Sequence, residues 1–304
     1  MSCESTETIL VHAAAVVCFY VGLQRQWRSR RCTTEAQLSS LARSLSPGEQ
    51  SQRECWIKEQ ERLSLRLIQS DMFKWTLGAA SSKHMIDSTE GVLTKPLRYI
   101  GGVDISFVKE SATEACASLV VLEFPSLDVV YESYDRIQMS LPYISGFLAF
   151  REVDPLLKLV NRLRVDKPGL VPDIIMVDGN GVLHPRGFGL ASHLGVLSNI
   201  PTIGIGKTFL HVDGLTERKV KHLARVRIPA DGGSLLLQGD SGRIWGAAFR
   251  PNTSVQNPVY VSCGHGVSLA TALAITTACS KHRVPEPVRQ ADSRSREVVR
   301  SWRA

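Results

Sequence analysis

The segment Pro172–Gly195 is the part of this chain that most restricts how it can fold. A continuous apolar run, Ile174–Val177, predicts a short buried strand, and Asp178 stands at its end before the turn Gly179–Gly181. Ligands of α/β sheets bind beyond the carboxyl ends of the strands, so an acid in this position is well sited for chemistry. The alternative is a surface turn, because Asp, Asn and Gly are the commonest turn residues. The segment alone leaves both readings open.

Composition limits the class of protein. The chain has 304 residues, of which 43% are hydrophobic, which is enough for one large domain with an appendage or for two domains. A net charge of +7 favours a polyanionic partner, with nucleic acid first among them. Its 7 cysteines are an odd number without any CxxC pair. This usage indicates free thiols in a reducing compartment, and neither a disulfide framework nor a zinc site.

The N-terminal part carries an apolar run at residues 9–23, followed by a basic stretch. Such an arrangement is typical of a membrane anchor, but the run is shorter than the ~20 residues that span a bilayer. It also contains His12, and no basic residue precedes it as in a signal peptide. We therefore expect residues 1–45 to be a variable or disordered leader and linker, a folded domain over residues 46–304, and no stable membrane association.

The first helix and the first strands are predicted from capping and periodicity. Ser46, Pro47 and Glu49 form a helix start, and the apolar spacing continues the helix to about Ser70. Residues 76–95 lack a period and are predicted to be loop. Alternation between residues 99 and 134 then predicts three consecutive antiparallel strands.

Two acids lie on these and the following elements. Asp104 falls in the middle of the first predicted strand, on the face opposite Val103 and Ile105, and for a lone acid a solvent-facing position is the simpler expectation. Glu152 stands near the start of a predicted helix, where a solvated position is equally common. The loop before this helix exposes Tyr143, for which covering the core is the alternative.

The C-terminal part supplies further charged candidates. Pro201–Lys207 predicts a short buried strand that brings Lys207 to the same sheet end as Asp178, although a solvated lysine is the alternative. The segment from Leu210 to Arg227 is basic and either contacts phosphates or forms a solvated loop. Two more strands, an apolar helix capped by Ser268 and an Arg-rich last helix carrying Asp292 complete the chain.

The order of these elements is βββαβα, which predicts an α/β fold with a ribonuclease H-like core. Its mixed sheet consists of three antiparallel strands followed by βα units, flanked by helices. The first and fourth strands are neighbours in such folds, so Asp104 and Asp178 would lie side by side. Two carboxylates suit Mg²⁺, which prefers hard oxygen ligands and retains several waters. Two such ions roughly 4 Å apart can activate a water and stabilise a leaving oxygen.

Six segments in order give the chain a specific resemblance. They are GGVDISF around Asp104, PYISGFLAFRE ending at Glu152, DGNGVLHPRGFGLASHLG from Asp178, GIGK at Lys207, YVSCGHGVSL around His265 and PEPVRQAD ending at Asp292. The sequence resembles the endonuclease V family of inosine-directed nucleases, from about Trp56 to Trp302. LHPRGFG and PEPVRQAD are most similar to the animal members, and that resemblance implies a preference for inosine in RNA over DNA.

The resemblance also implies residue roles. It implies metal ligation by Asp104 and Asp178 with support from Glu152, and we place Lys207, Asp292 and His265 in the same catalytic set, the last two as residues that orient ligands or water. The resemblance also implies a wedge that probes base pairs, formed by Pro142, Tyr143 and Ile144. It implies a pocket for the base, lined by Gly146, Leu148, Gly179 and Leu210. We expect His193 to be a further substrate contact. One departure is Gly266, where the family usually has an arginine after the histidine, which puts one phosphate or structural contact in doubt.

The function expected from this resemblance is a Mg²⁺-dependent endoribonuclease, with Mn²⁺ as a substitute. It would cut the second phosphodiester bond 3′ to inosine in single-stranded RNA, with deoxyinosine in DNA as a further candidate substrate. We expect a monomer in the cytoplasm and nucleus, including the nucleolus. Two alternatives stay open: a nucleic-acid-binding protein of this fold that has lost catalysis, supported by Gly266, and a membrane-anchored protein, supported by residues 9–23.

Overall fold

The computed structural model describes residues 47–77, 95–109, 111, 113–139 and 146–302. The chain divides into two compact units, Met1–Cys55 and Trp56–Ala304, and in the first unit the description covers residues 47–55. The predicted leader of residues 1–45, its apolar run at 9–23 and the helix cap at Ser46 lie outside the described residues. Within the described ranges, no helix combines the length and the apolar character needed to cross a membrane.

Six α-helices occur in the described part of the chain, together with one short 3-10 helix, Pro168–Leu170. The α-helices are α1 (Pro47–Ser64), α2 (Leu148–Asp166), α3 (Leu190–Ser198), α4 (Glu217–Arg227), α5 (Leu269–Ala278) and α6 (Glu286–Ser301). Helix α1 ends at Ser64, so the prediction that it continues to Ser70 was wrong. The basic segment that was expected as a possible loop forms α4, because Thr216 caps its start and Val220 and Ala224 are buried on one side.

Ten strands accompany these helices in the same ranges. They are β1 (Trp75–Thr76), β2 (Lys95–Pro96), β3 (Tyr99–Phe107), β4 (Glu114–Glu123), β5 (Asp128–Gln138), β6 (Ile174–Asp178), β7 (Thr202–Gly206), β8 (Gly233–Gln238), β9 (Ile244–Arg250) and β10 (Val259–His265). The parallel pair β1–β2 lies at the two ends of a segment predicted to be loop. Strand β8 was not predicted, because it begins at the second residue of the pair Gly232–Gly233 and glycine is depleted in strands.

The main sheet contains eight strands in the order β5-β4-β3-β6-β7-β10-β9-β8. The first three along the chain are antiparallel to one another, as predicted, whereas β3, β6 and β7 are parallel. Strand β10 returns antiparallel to β7. The predicted α/β fold, with a ribonuclease H-like order of strands and helices, is therefore confirmed, and β3 and β6 are neighbours.

Helices cover both faces of this sheet. On one face α2 and α3 pack against side chains such as Val103 and Val177, and on the other α5 and α6 pack against Ile100 and Met176. Side chains of a strand alternate between faces, so Asp104 points toward the second group of helices. It is 6% exposed, and the expectation of a solvent-facing side chain was wrong because helices cover that face of the sheet.

Helix α6 approaches β3 closely at Gly102. A Cβ atom at this position would lie 1.9 Å from the backbone oxygen of Pro287, closer than any real contact. The lack of a side chain therefore lets the start of α6 rest directly on the strand that carries Asp104. The same helix carries Asp292 toward the sheet.

Candidate active site

Three carboxylates from distant parts of the chain meet at one edge of the sheet. Strands β3 and β6 run in parallel with Val103 paired to Val177, so Asp104 and Asp178 follow at the same level. Asp292 reaches them from α6, and one ligand oxygen of each of the three lies within 4.8 Å of the others. Such a set of hard oxygen donors fits a divalent cation.

Holding the negative charges of these carboxylates close together is energetically unfavourable unless positive charge lies nearby. Burial raises the pKa of Asp104 above its ordinary value, and a hydrogen bond and the charge of Asp178 raise that pKa further. The opposing influence is Lys207, which lowers it. The site therefore favours the arrival of positive charge.

Lys207 supplies part of that charge. Strand β7 ends one residue before it, and its Nζ lies 2.6 Å from Asp178 Oδ2 and 3.2 Å from Asp292 Oδ1. Burial by itself lowers the pKa of Lys207, but the surrounding carboxylates outweigh burial and hold this pKa above its ordinary value. The prediction that Lys207 reaches the same sheet end as Asp178 is confirmed, and its solvated alternative was wrong.

Glu152 lies on α2 and is 7% exposed, so its predicted solvated alternative was also wrong. Burial raises the pKa of Glu152 to about 8, and the charge of Asp178 contributes in the same direction. Its carboxylate is thus close enough to Asp178 to interact, but the group of three within 4.8 Å contains Asp292 in its place. Asp292, expected to be an orienting residue, has the position expected of a direct ligand.

His265 lies at the other edge of the sheet, which corrects its expected place in the catalytic set. Tyr260 of β10 pairs with Gly206 near the acids, whereas His265 pairs with Thr202 at the far end of β7. Four residues of strand separate the two levels by roughly 13 Å. The ring is buried, and its Nδ1 accepts a hydrogen bond from the Ile68 amide at 3.3 Å. The ring therefore contacts the segment after α1 and none of the three acids of the cluster.

Gly266 shares that remote edge. Its amide donates to Ile68 O at 2.7 Å, and its carbonyl accepts from the Met72 amide at 3.2 Å. Its φ of +64° is in the left-handed region, and a Cβ there would lie 3.3 Å from the Met72 sulfur. The departure from the family pattern therefore affects local packing far from the acids. It gives no support to a loss of catalysis.

His193 was expected to contact substrate, and its position does not fit that role. It is 3% exposed, and its ring makes an edge contact with Phe150 at 5.0 Å and a tilted contact with Phe188 at 5.6 Å. Burial lowers the pKa of His193 to about 4, so the ring is neutral. His193 is a packing residue beneath α2.

The start of α2 is held by the loop after β6. The Arg186 amide donates to His184 Nδ1 at 3.2 Å, which places the ring proton on Nε2, and this atom donates to Gly146 O at 3.1 Å. The Arg186 guanidinium donates to the same oxygen and to Gln60 of α1. Sequence reasoning assigned no role to Gln60, whose amide also donates to Phe188 O at 2.5 Å. Gln60 could have been identified from the sequence, because it is a polar residue on the apolar face of α1.

The other residues expected to contact the base surround this region to different extents. Gly179 directly follows Asp178 and donates its amide to Ile205 O at 3.1 Å. Leu148 is the first residue of α2, and Leu210 follows β7; both are half-buried. The wedge residues Pro142, Tyr143 and Ile144 lie outside the described residues.

Comparison with known proteins agrees with this geometry. A family model described as Endonuclease V matches residues 81–293. Human endonuclease V is 47% identical over 246 residues, which cover 81% of this chain and 82% of the human protein. The mouse protein is 46% identical over 245 residues, which cover 81% and 69% of the two chains. The chain belongs to the endonuclease V family. It is therefore a nuclease that acts on phosphodiester bonds.

Solved structures of the endonuclease V family share the fold. Human endonuclease V superposes with a TM-score of 0.73 at 45% identity, covering 83% of this chain and 99% of the human one. An endonuclease V from Ciona intestinalis, in complex with a 24mer DNA containing an inosine followed by a ribo-adenosine, gives a TM-score of 0.72 at 34% identity, with coverage of 83% and 99%. The family is metal-dependent in general, and the cluster of Asp104, Asp178 and Asp292 could bind a metal.

Proposed function

We propose that this chain is an endoribonuclease that recognises inosine and hydrolyses the second phosphodiester bond 3′ to it, leaving 3′-hydroxyl and 5′-phosphate ends. The observation that carries the proposal is the convergence of three carboxylates and Lys207 at one sheet edge. Deoxyinosine in DNA is the second substrate of the same site. The ribo-adenosine that follows the inosine in the 24mer DNA of the Ciona complex supports RNA as the preferred strand.

The proposed cation is Mg²⁺, with Mn²⁺ as a substitute. Asp104, Asp178 and Asp292 would hold it, and Glu152 would act on it through a water molecule. When bound, such a cation polarises a phosphoryl oxygen and lowers the pKa of a bound water. Lys207 contacts both Asp178 and Asp292 and would thereby orient their carboxylates toward the cation.

Phosphate binding is assigned to exposed basic side chains. Helix α4 exposes Arg218, Lys219, Lys221, Arg225 and Arg227. The last helix is also rich in arginine. Contacts between such residues and phosphates release counterions, so binding should weaken steeply with salt.

Base recognition is assigned to the region where α2 begins. An extruded hypoxanthine would lie among Gly146, Leu148, Gly179 and Leu210, and the wedge residues Pro142, Tyr143 and Ile144 would probe the base pair. Extrusion costs least for an unpaired or mispaired base, which favours single-stranded RNA. Arg186 and His184 fix the Gly146 carbonyl and thereby the entry to this region.

The cellular setting is also part of the proposal. We place a monomeric protein in the cytoplasm and nucleus, including the nucleolus, with residues 46–304 as the catalytic domain and residues 1–45 as a leader. Microscopy and fractionation of tagged full-length protein and of residues 46–304 test this. Membrane recovery that depends on residues 1–45 would contradict it.

One cleavage assay tests the enzymatic proposal. The substrates are single-stranded RNA with one inosine, the matched DNA with deoxyinosine, and both strands with adenine in its place. We expect a single cut in the inosine RNA, at the second phosphodiester bond 3′ to the inosine. EDTA should abolish this cleavage, and added Mg²⁺ should restore it. Equal cleavage of the adenosine control would refute base recognition, and faster cleavage of the DNA would refute the RNA preference.

A further inference from the structure

Two buried serine hydroxyls lie against the carboxylate of Asp104. Ser106 Oγ donates to Asp104 Oδ2 at 3.1 Å, and Ser295 Oγ lies 3.3 Å from the same oxygen. The two hydroxyl oxygens are 2.7 Å apart. Ser106 is 8% exposed and Ser295 is 0% exposed. The hydroxyls thus meet at one carboxylate oxygen, away from bulk water.

These serines belong to the two elements that carry Asp104 and Asp292. Ser106 follows Asp104 by two residues on β3, so both side chains lie on the same face of the sheet. Ser295 follows Asp292 by three residues on α6, so both lie on the same side of the helix. Ser295 Oγ is also 3.0 Å from the backbone oxygen of Asp292. The hydroxyl pair connects the two acid-bearing elements directly.

A third serine joins the same elements in a different way. Ser118 Oγ on β4 lies 3.1 Å from Asp104 O and 3.2 Å from Ala291 O. Its hydroxyl therefore holds α6 on the sheet through backbone carbonyls, without touching a carboxylate. A change at Ser118 therefore affects the packing of α6 on the sheet but removes no contact to the Asp104 carboxylate.

We propose that Ser106 and Ser295 are positioning residues that set the metal affinity of the site by orienting Asp104 and linking it to the turn that carries Asp292. The inference rests on the proposed metal-dependent function. A hydroxyl that donates to a carboxylate favours its ionised form and restricts its rotation. Removal of partners of this kind from other metal sites changes metal affinity or activity by about 10-fold to 100-fold.

The test measures Mn²⁺ binding by electron paramagnetic resonance on metal-free, full-length protein without substrate. The variants are Ser106→Ala, Ser295→Ala and the double variant. We expect the Kd for Mn²⁺ to rise about tenfold in each single variant. Because both hydroxyls act on one oxygen, the loss in the double variant should be smaller than the product of the single losses.

Ser118→Ala is the matched control. It removes a buried hydroxyl from the same interface, so it should lower the Tm while leaving the Kd for Mn²⁺ unchanged. If Ser106→Ala and Ser295→Ala behave in the same way as this control, the hydroxyls only seat the helix and the proposal is wrong. Should Ser295→Ala fail to fold, Ser295→Cys keeps the size with a weaker donor and Ser106→Ala stays decisive. Wild-type protein that binds no Mn²⁺ would refute metal use itself, a result distinct from loss of positioning.

Discussion

The Nζ atom of Lys207 lies 2.6 Å from Oδ2 of Asp178, at the ends of two adjacent parallel strands. Because Lys207 also contacts Asp292, one ammonium group serves carboxylates from a strand and from a helix. With Asp104 the cluster has three acids and one base, so a net negative charge is left that a divalent cation would balance. In the metal-free protein, the ammonium group of Lys207 thus balances part of the negative charge that a divalent cation would otherwise balance.

Replacing Lys207 with methionine should destabilise the metal-free protein by about 2 kcal/mol, because charged hydrogen bonds to two carboxylates are lost. Added Mg²⁺ should reduce this difference, since the cation restores positive charge next to the same acids. Urea unfolding with and without Mg²⁺ measures both values. A loss of stability that Mg²⁺ leaves unchanged would contradict the shared role of the two cations.

The matched control for this variant is Lys95→Met. Lys95 forms an ion pair with Asp173 at 2.8 Å, but its side chain is 68% exposed. Exposed pairs contribute about 0–1 kcal/mol, so this change should have little effect on stability at any Mg²⁺ concentration.

Asp292 and His265 were expected to act together, and the structure separates their roles. Asp292→Asn removes one charge from the acidic cluster with little change in shape, and should lower cleavage at saturating RNA by at least about 100-fold. His265→Ala should cost about 1 kcal/mol of stability, since the part-buried hydrogen bond from the Ile68 amide is lost, while folded protein cleaves normally. If Asp292→Asn and His265→Ala lowered the cleavage rate by similar factors without loss of stability, His265 would be a catalytic residue after all.

The sequence was sufficient for the centre of the fold. The apolar run before Asp178 and the alternation around Asp104 define neighbouring strands, and their order brings these two acids together. Neither pattern shows which way β10 runs, and because it is antiparallel to β7, His265 lies at the far edge. The position of Asp292 depends on the close approach of α6 to Gly102, a tertiary contact that no local pattern encodes.

Gly102→Ala tests that contact. The added Cβ would overlap the Pro287 carbonyl, so α6 must shift, at a cost of about 1–3 kcal/mol or more. Cleavage should fall as well, because the shifted helix moves Asp292 away from Asp104. Gly169→Ala is the control, since its Cβ would meet nothing within 4 Å. Reduced stability with a normal cleavage rate in Gly102→Ala would show that the helix position does not limit activity.

Two buried histidines link the stability of the fold to pH. Burial, with the charge of Arg186, lowers the pKa of His184 to about 3, and burial lowers the pKa of His193 to about 4. In the unfolded chain a histidine has a pKa of about 6.5. Below that pH the unfolded chain therefore binds protons that the folded protein does not. The free energy of unfolding should fall by up to about 1.4 kcal/mol per pH unit for each histidine between about pH 6.5 and 4.

The carboxyls of Asp104 and Glu152 act in the opposite direction, because their raised pKa values make the folded protein the stronger proton binder over the same range. The pH dependence of the free energy of unfolding of the wild type therefore contains both contributions. A variant is needed to measure the contribution of the histidine alone. His193→Phe suits this purpose, since the ring already packs between Phe150 and Phe188. Urea unfolding at pH 7.5, 6 and 5 should show a shallower loss of stability toward acid in this variant than in the wild type. Parallel curves for the two proteins would mean that His193 takes up its proton in the folded state as readily as in the unfolded chain, against the burial seen here.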